Sequence, residues 1–417
     1  MTTNGSHTSA RFHSIAKTSL SVAITALVLS GCGGGGGGGE PGPAFTTKAA
    51  LGEALFFDKN LSFERTQSCS TCHDPDHGFI DSRTDENGFI TAVSLGDGSN
   101  PTKIGDRNAP TAAYAMFSPL FHSGTRDRLN SQQPDYAGFM GGQFLDGREK
   151  NLMGQAGGPP LNPVEMSMPN KESVVERILE NPDYEASFKG IYGDDIFENI
   201  ELAYAAMTES IAKFEKTELF APFDSKYDKF LRGEATLSLK ELGGKALFFT
   251  QQFTNCATCH QLEPNSSKTE TFSSYEFHNI GVPVNEEVRA LNGAPLDQGL
   301  LLNPAVNDES EVGKFRVPTL RNVAVTEPYM HNGVFRDLET VIKFYDHFLT
   351  NSEFMTNPET GNAWREPEFA ATVALEELKD GRKMTQENIE EMVCFLRTLT
   401  DARYEHLIQD KGIDCSD

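Results

Sequence analysis

The sequence predicts an all-α protein made of two tandem domains of the same kind. Three observations carry that expectation. The pentapeptide CSTCH at 69–73 returns as CATCH at 256–260, and each copy follows a matching lead-in, LGEALFFDKNLS in the first and GGKALFFTQQ in the second. Downstream, RNAPT (107–111) is echoed by VPTLRN (317–322) and LFHSG (120–124) by YMHNG (329–333), so the duplicated unit is a whole domain, not a short solenoid period. The remaining patterned segments repeat every three or four residues, and none alternates as a strand.

In chain order, residues 1–31 read as a lipoprotein signal peptide: Arg11 and Lys17 precede the apolar run SLSVAITALVL, and Leu29-Ser30-Gly31-Cys32 has lipobox form. Cleavage before Cys32 and lipidation of its thiol would anchor the chain; an ordinary cleaved signal peptide is the alternative. Either exports the protein. Residues 32–45, with glycines from Gly33 to Gly39, read as a tether. The first domain spans 46–230 and the second 231–417, with the boundary between Pro222 and Thr236. Within the first, Ile200, Tyr204, Met207, Ile211 and Phe214 share one helical face. In the second, Ser238 and Glu241 have capping-box spacing. Thr385 opens a helix that places Ile389, Val393, Leu396 and Leu399 on one side.

The CxxCH motif sets the chemistry. Its cysteines form thioethers to a haem, and the histidine that follows ligates the iron. Cys69, Cys72 and His73 would hold one haem c, and Cys256, Cys259 and His260 a second. A zinc ribbon would need its two CxxC pairs roughly 15–20 residues apart. These pairs are far more distant, and each carries its own histidine. The expected fold is therefore two cytochrome c-like domains, each with one covalent haem c.

The formal net charge is −24, which excludes nucleic acid as a partner class and would attract a basic docking face. Beyond the export segment no stretch reaches the ~20 apolar residues of a membrane span, so any membrane contact would come through lipid alone. Cys394 and Cys415 remain outside the motifs and, in an exported chain, are expected to pair.

With these motifs in place, the chain resembles the bacterial di-haem cytochrome c peroxidase and MauG family from about residue 48 to 402. The resemblance rests on LGEALFFDKNLS, CSTCHDPDHGF, RNAPT, QFLDGRE, GPPLNPVEM, FRVPTLRNVAVTEPYMHNG and DLETVIKFYD. It implies that hydrogen peroxide reacts at the N-terminal haem. The C-terminal haem would pass electrons from a cytochrome c, a cupredoxin or a protein substrate. The family pattern puts an acid/base carboxylate at Glu165 and a polar companion at Gln155. His77 is either a switchable ligand blocking the first haem or a plain loop histidine; its short distance from His73 favours the loop.

For the second iron the family ligand falls fourteen residues after His331, on Tyr345, whose helical face it shares with Leu338, Val341, Ile342 and Phe348. Met330 is the competing ligand. A phenolic oxygen favours the ferric state where methionine sulfur favours the ferrous one, so Tyr345 points towards the MauG branch. The resemblance also implies calcium at Asn108, Thr326 and Pro328, oxygen donors of the type a hard cation takes.

One departure stands out. Where the family usually has tryptophan between the haems, this chain has Leu145, which cannot be oxidised by one electron; Phe144, Tyr114 or Tyr329 would have to serve, or the haems exchange charge directly. Trp364, the one tryptophan, lies far downstream. The insert at 121–142 is expected to shape the haem approach or a partner surface. The two function classes are thus a di-haem peroxidase and a non-catalytic electron-transfer cytochrome with both irons saturated.

Overall fold

The computed structural model describes residues 43–85, 91, 93, 96, 104–128, 134–250, 254–260 and 270–417. The export segment, Cys32 and most of the tether lie outside the described residues.

The first half opens with α1 (Lys48–Phe57), whose N-terminus is capped by the Thr47 hydroxyl accepting from Ala50 N–H at 3.2 Å. A single turn, α2 (Cys69–Cys72), carries the first motif. After the hairpin of β1 (His122–Arg126) and β2 (Tyr136–Met140) come α3 (Leu152–Ala156), α4 (Lys171–Leu179), α5 (Pro182–Tyr192) and α6 (Ile200–Phe214). The expected face of α6 is the buried one: Tyr204, Met207, Ile211 and Phe214 enter the core, and Ile200 packs at its edge.

The second half repeats the plan. A short α7 (Lys226–Leu231) leads into α8 (Leu239–Phe249), which begins with the expected capping box: Ser238 N–H donates to Glu241 Oε2 at 2.7 Å and Glu241 N–H to Ser238 Oγ at 3.2 Å. The turn α9 (Cys256–Cys259) carries the second motif. Strand β3 (Phe277–His278), α10 (Glu286–Asn292), strand β4 (Phe315–Arg316), α11 (Leu338–Asp346), α12 (Leu375–Lys379) and α13 (Gln386–Arg397) complete the chain. Thr385 caps α13, and Ile389, Val393 and Leu396 are buried along it.

Two equivalent helix crossings organise the halves. A Cβ at Gly52 of α1 would stand 1.9 Å from the Ser210 carbonyl oxygen of α6, and one at Gly244 of α8 would stand 1.9 Å from that of Glu391 of α13. Only glycine lets the backbones approach this closely. Beside each crossing, the first phenylalanine of the repeated LFF anchors an aromatic cluster. Phe56 lies 5.4 Å from Phe214 and 5.7 Å from Phe220; Phe248 lies 5.3 Å from Phe395 and 5.9 Å from Phe272. One apolar core draws on residues 51–221 and another on 227–413.

Polar contacts join the halves. Arg107 pairs with Asp146 at 2.7 Å and with Asp297 at 2.6 Å. The Tyr114 hydroxyl donates to Asp401 at 2.5 Å, and within the second half buried Arg321 pairs with Asp228 at 2.7 Å. The disulfide Cys394–Cys415 ties the C-terminal tail to α13.

The all-α expectation needs correction. The protein is mainly helix and loop, but β1 pairs antiparallel with β2 in the register His122↔Met140 and Gly124↔Gly138, and β3 pairs with β4. The hairpin lies within the 121–142 insert. It carries no apolar/polar alternation because neither strand buries one whole face: no residue of β1 is fully buried and only Met140 of β2 is, so the period-2 signal was missing.

Candidate active site

The two CxxCH turns open onto two separate cavities. Cys69, Cys72 and His73 line the first, of about 370 Å³. Cys256, Cys259 and His260 line the second, of about 340 Å³. In each, the histidine is held by its ring Nδ1: His73 at 3.2 Å from the Phe79 carbonyl and His260 at 2.9 Å from that of Phe272. With Nδ1–H donating to a carbonyl, Nε2 keeps its lone pair for a metal. Burial depresses both imidazoles, His260 to about 4, so each is neutral.

None of the four CxxCH cysteines is in a disulfide, and they sit as two pairs, one at each cavity. Cysteine pairs in separate cavities do not suit zinc, which needs four donors converging on one ion. Cysteine pairs one helical turn apart, a neutral imidazole beside them and an adjoining cavity are what thioether-bound haem requires. The donor set fits two haems.

Glu165 and Gln155 both line the first cavity. Gln155 sits on α3, and Glu165 follows in a loop where the Asn162 side-chain amide donates to its Oε1 at 2.8 Å. Burial raises the Glu165 carboxyl above the usual range, while Arg148 and Asn162 partly oppose this. His77 lies elsewhere: its Nδ1 is 2.9 Å from Asp74 Oδ2, its side chain is 43% exposed, and it lines neither cavity. The structure thus gives His77 the loop position.

Tyr345 and Met330 both line the second cavity. Tyr345 projects from α11, and burial raises its phenol above the ordinary range. Asn108, Thr326 and Pro328 also meet at this cavity, where the Asn108 side-chain amide donates to the Pro328 carbonyl at 2.5 Å. Leu145 lines both cavities and so lies in the wall between them. Phe144 faces the first cavity, under the Arg148 guanidinium at 3.6 Å; Tyr114 and Tyr329 face the second. Trp364 lines neither and donates its indole N–H to the Phe354 carbonyl at 2.7 Å.

Sequence reading missed Glu215. It lines the first cavity, is 5% exposed, has an Oε2 without a hydrogen-bond partner, and is pushed by burial up to about 8. A signal was available: Glu215 lies four residues after Ile211, where the apolar stripe of α6 would continue. The buried trio Arg128, Glu276 and His278 also escaped notice. Arg128 donates to Glu276 Oε1 at 2.8 Å, and His278 Nε2 is 3.1 Å from Glu276 Oε2.

The sequence profile of the di-haem cytochrome c peroxidase family matches residues 46–236. The methylamine utilization protein MauG of Paracoccus denitrificans is 44% identical over 373 residues, covering 88% of this chain and 92% of that protein. The chain belongs to the di-haem cytochrome c peroxidase and MauG family. Cytochrome c551 peroxidase of Nitrosomonas europaea is 30% identical over 75% of this chain and 76% of its own length. Among solved structures, the diheme peroxidase BthA of Burkholderia thailandensis superposes with a TM-score of 0.75 at 29% identity, covering 89% of this chain and 90% of that one. Like its relatives the protein is a di-haem peroxidase or oxidase, an oxidoreductase, which sets the non-catalytic carrier aside.

Proposed function

We propose that hydrogen peroxide is reduced in the first cavity with Glu165 as acid/base, and that the second cavity feeds or stores the oxidising equivalents. The observation carrying this reading is that Glu165 and Gln155 face the same cavity as the His73 motif. Cys69, Cys72 and His73 would hold the haem, which would supply the redox-active iron for peroxide cleavage. Glu165 would accept a proton from one peroxide oxygen and deliver it to the other, which leaves as water when the O–O bond breaks, the two electrons being supplied by the haem. A carboxyl raised towards neutrality exchanges protons in both directions readily. Gln155, with an amide donor and an acceptor, orients the bound oxygen.

In the second cavity His260 and Tyr345 would hold the second haem, with Met330 the weaker candidate. Tyr345 is supported by its place on the cavity-facing side of α11. A neutral imidazole and a phenol favour the oxidised state and bring the reading closer to MauG than to a cytochrome-driven peroxidase. The donor would be a redox protein, a cytochrome c or a cupredoxin, or a protein substrate that is itself oxidised. Asn108 with Thr326 and Pro328 would bind calcium and stiffen the joint between the halves, a reading supported by the three lining one cavity. We place the enzyme in the periplasm or cell envelope, anchored by lipid at Cys32. No helix among the described residues is long and apolar enough to cross a membrane.

The test is Glu165→Gln in the full-length haem-loaded protein. Peroxide turnover should fall by roughly 10²–10⁴-fold with both haem spectra unchanged. Unchanged turnover would remove Glu165 from the mechanism.

A further inference from the structure

Asn108 to Thr111, Ala115, Leu145 and Arg316 line both cavities. Arg316 is the only charged residue of that wall. Its Nε donates to the Phe144 carbonyl at 3.2 Å and one terminal nitrogen to Ser118 Oγ at 3.3 Å, both neutral partners. Among the described residues no carboxylate lies within ion-pair distance of it. The fully buried Arg128 and Arg321 are satisfied, by Glu276 at 2.8 Å and by Asp228 at 2.7 Å. The nearest candidate, Asp146, is already shared by Arg107 and Arg148 at 2.7 and 2.9 Å.

Arg316 is half-buried against the two cavities, and a guanidinium withdrawn from water without an opposite charge is costly, because it loses hydration with no ion pair in return. Burial duly pulls the Arg316 guanidinium below its ordinary range. The Tyr275 ring, 5.9 Å away, offers only a weak cation–π partner. The described residues of this wall thus give Arg316 neutral partners only, and a haem in either cavity would bring carboxylates on its own side chains.

We propose that Arg316 receives a haem carboxylate, so that this ion pair fixes the cofactor against the wall between the two cavities. A planar guanidinium is the donor best matched to a carboxylate. The carboxylate can come from the haem of the first cavity or of the second, and the two sources give different results. The inference rests on the presence of two haems and not on the role of Glu165, so peroxide turnover is not its readout.

The experiment is spectroelectrochemistry of the haem-loaded full chain as wild type, Arg316→Gln and Arg316→Lys. Removing the cation favours the more positive ferric iron. In Arg316→Gln, the ferrous-to-ferric ratio of one haem at fixed electrode potential should fall about tenfold, which is 59 mV for one electron. The haem that moves identifies the source. Arg316→Lys, keeping the charge, should recover at least half of the shift. Unmoved potentials in an Arg316→Gln protein with two haems would overturn the proposal, as would a lysine variant no better than the glutamine. If Arg316→Gln does not fold, the propionate-bending band in resonance Raman is compared between wild type and Arg316→Lys. A shifted band supports the pair, and an unchanged band overturns it.

Discussion

The Arg316 backbone N–H donates to the Leu145 carbonyl at 2.9 Å, and both residues line both cavities. The strand β4 and the loop carrying Leu145 thus form one partition. A leucine there provides packing but no stopping point for a charge, so transfer between the cavities has to cross the partition in one step or go round it.

Leu145→Trp should accelerate electron delivery to the first site, because an indole can be oxidised where an isobutyl group cannot. Stopped-flow measurement of second-haem oxidation after peroxide addition would show it. Leu145→Ala should leave that rate within about a factor of two while costing roughly 2–5 kcal/mol of stability if the site does not collapse.

The raised carboxyl of Glu165 has a pH consequence. As a base it must be ionised to accept the first proton. The acid limb of the kcat/KM profile should therefore lie above the ordinary carboxylate range. Glu165→Gln should abolish that limb, not merely displace it.

Glu215 makes the folded state bind a proton that the unfolded state releases. Its folded value of about 8 lies above its ordinary 4.5, so its contribution is most favourable below 4.5 and is lost as pH rises towards 8. In Glu215→Gln the fall in denaturant stability between those limits should shrink by on the order of a few kcal/mol. An unchanged pH dependence would mean that Glu215 is solvated or paired in the haem-loaded protein.

The glycine crossings should be intolerant. Gly52→Ala or Gly244→Ala places a methyl carbon against a carbonyl oxygen of the opposing helix. Each should cost at least about 1–3 kcal/mol, visible as a lowered Tm. Cys415→Ser should cost about 2–4 kcal/mol in denaturant titrations under oxidising conditions, by freeing the C-terminal tail from α13.

Much of this was legible in the chain because its signals are local. CxxCH brings its own ligand, and the Ser238–Glu241 and Thr385 caps lie within one turn of the helices they start. The buried face of α6 follows from five apolar residues at helical spacing. The misses share a different cause. Neither strand of the hairpin buries one whole face, so no alternation marked it. Arg316 and Glu215 are ordinary charged residues in sequence; only the approach of distant segments buries them. Glu165 would have passed for a loop acid without the motif around it, and its placement beside Asn162 and the first cavity belongs to tertiary structure.

The central claim is that the first site is open and reacts with peroxide. Electron paramagnetic resonance of the as-isolated diferric protein, repeated after one equivalent of hydrogen peroxide, addresses it directly. A high-spin signal from the first haem is expected beside a low-spin signal from the second, both lost on adding peroxide. Two low-spin signals that peroxide leaves unchanged would contradict the claim.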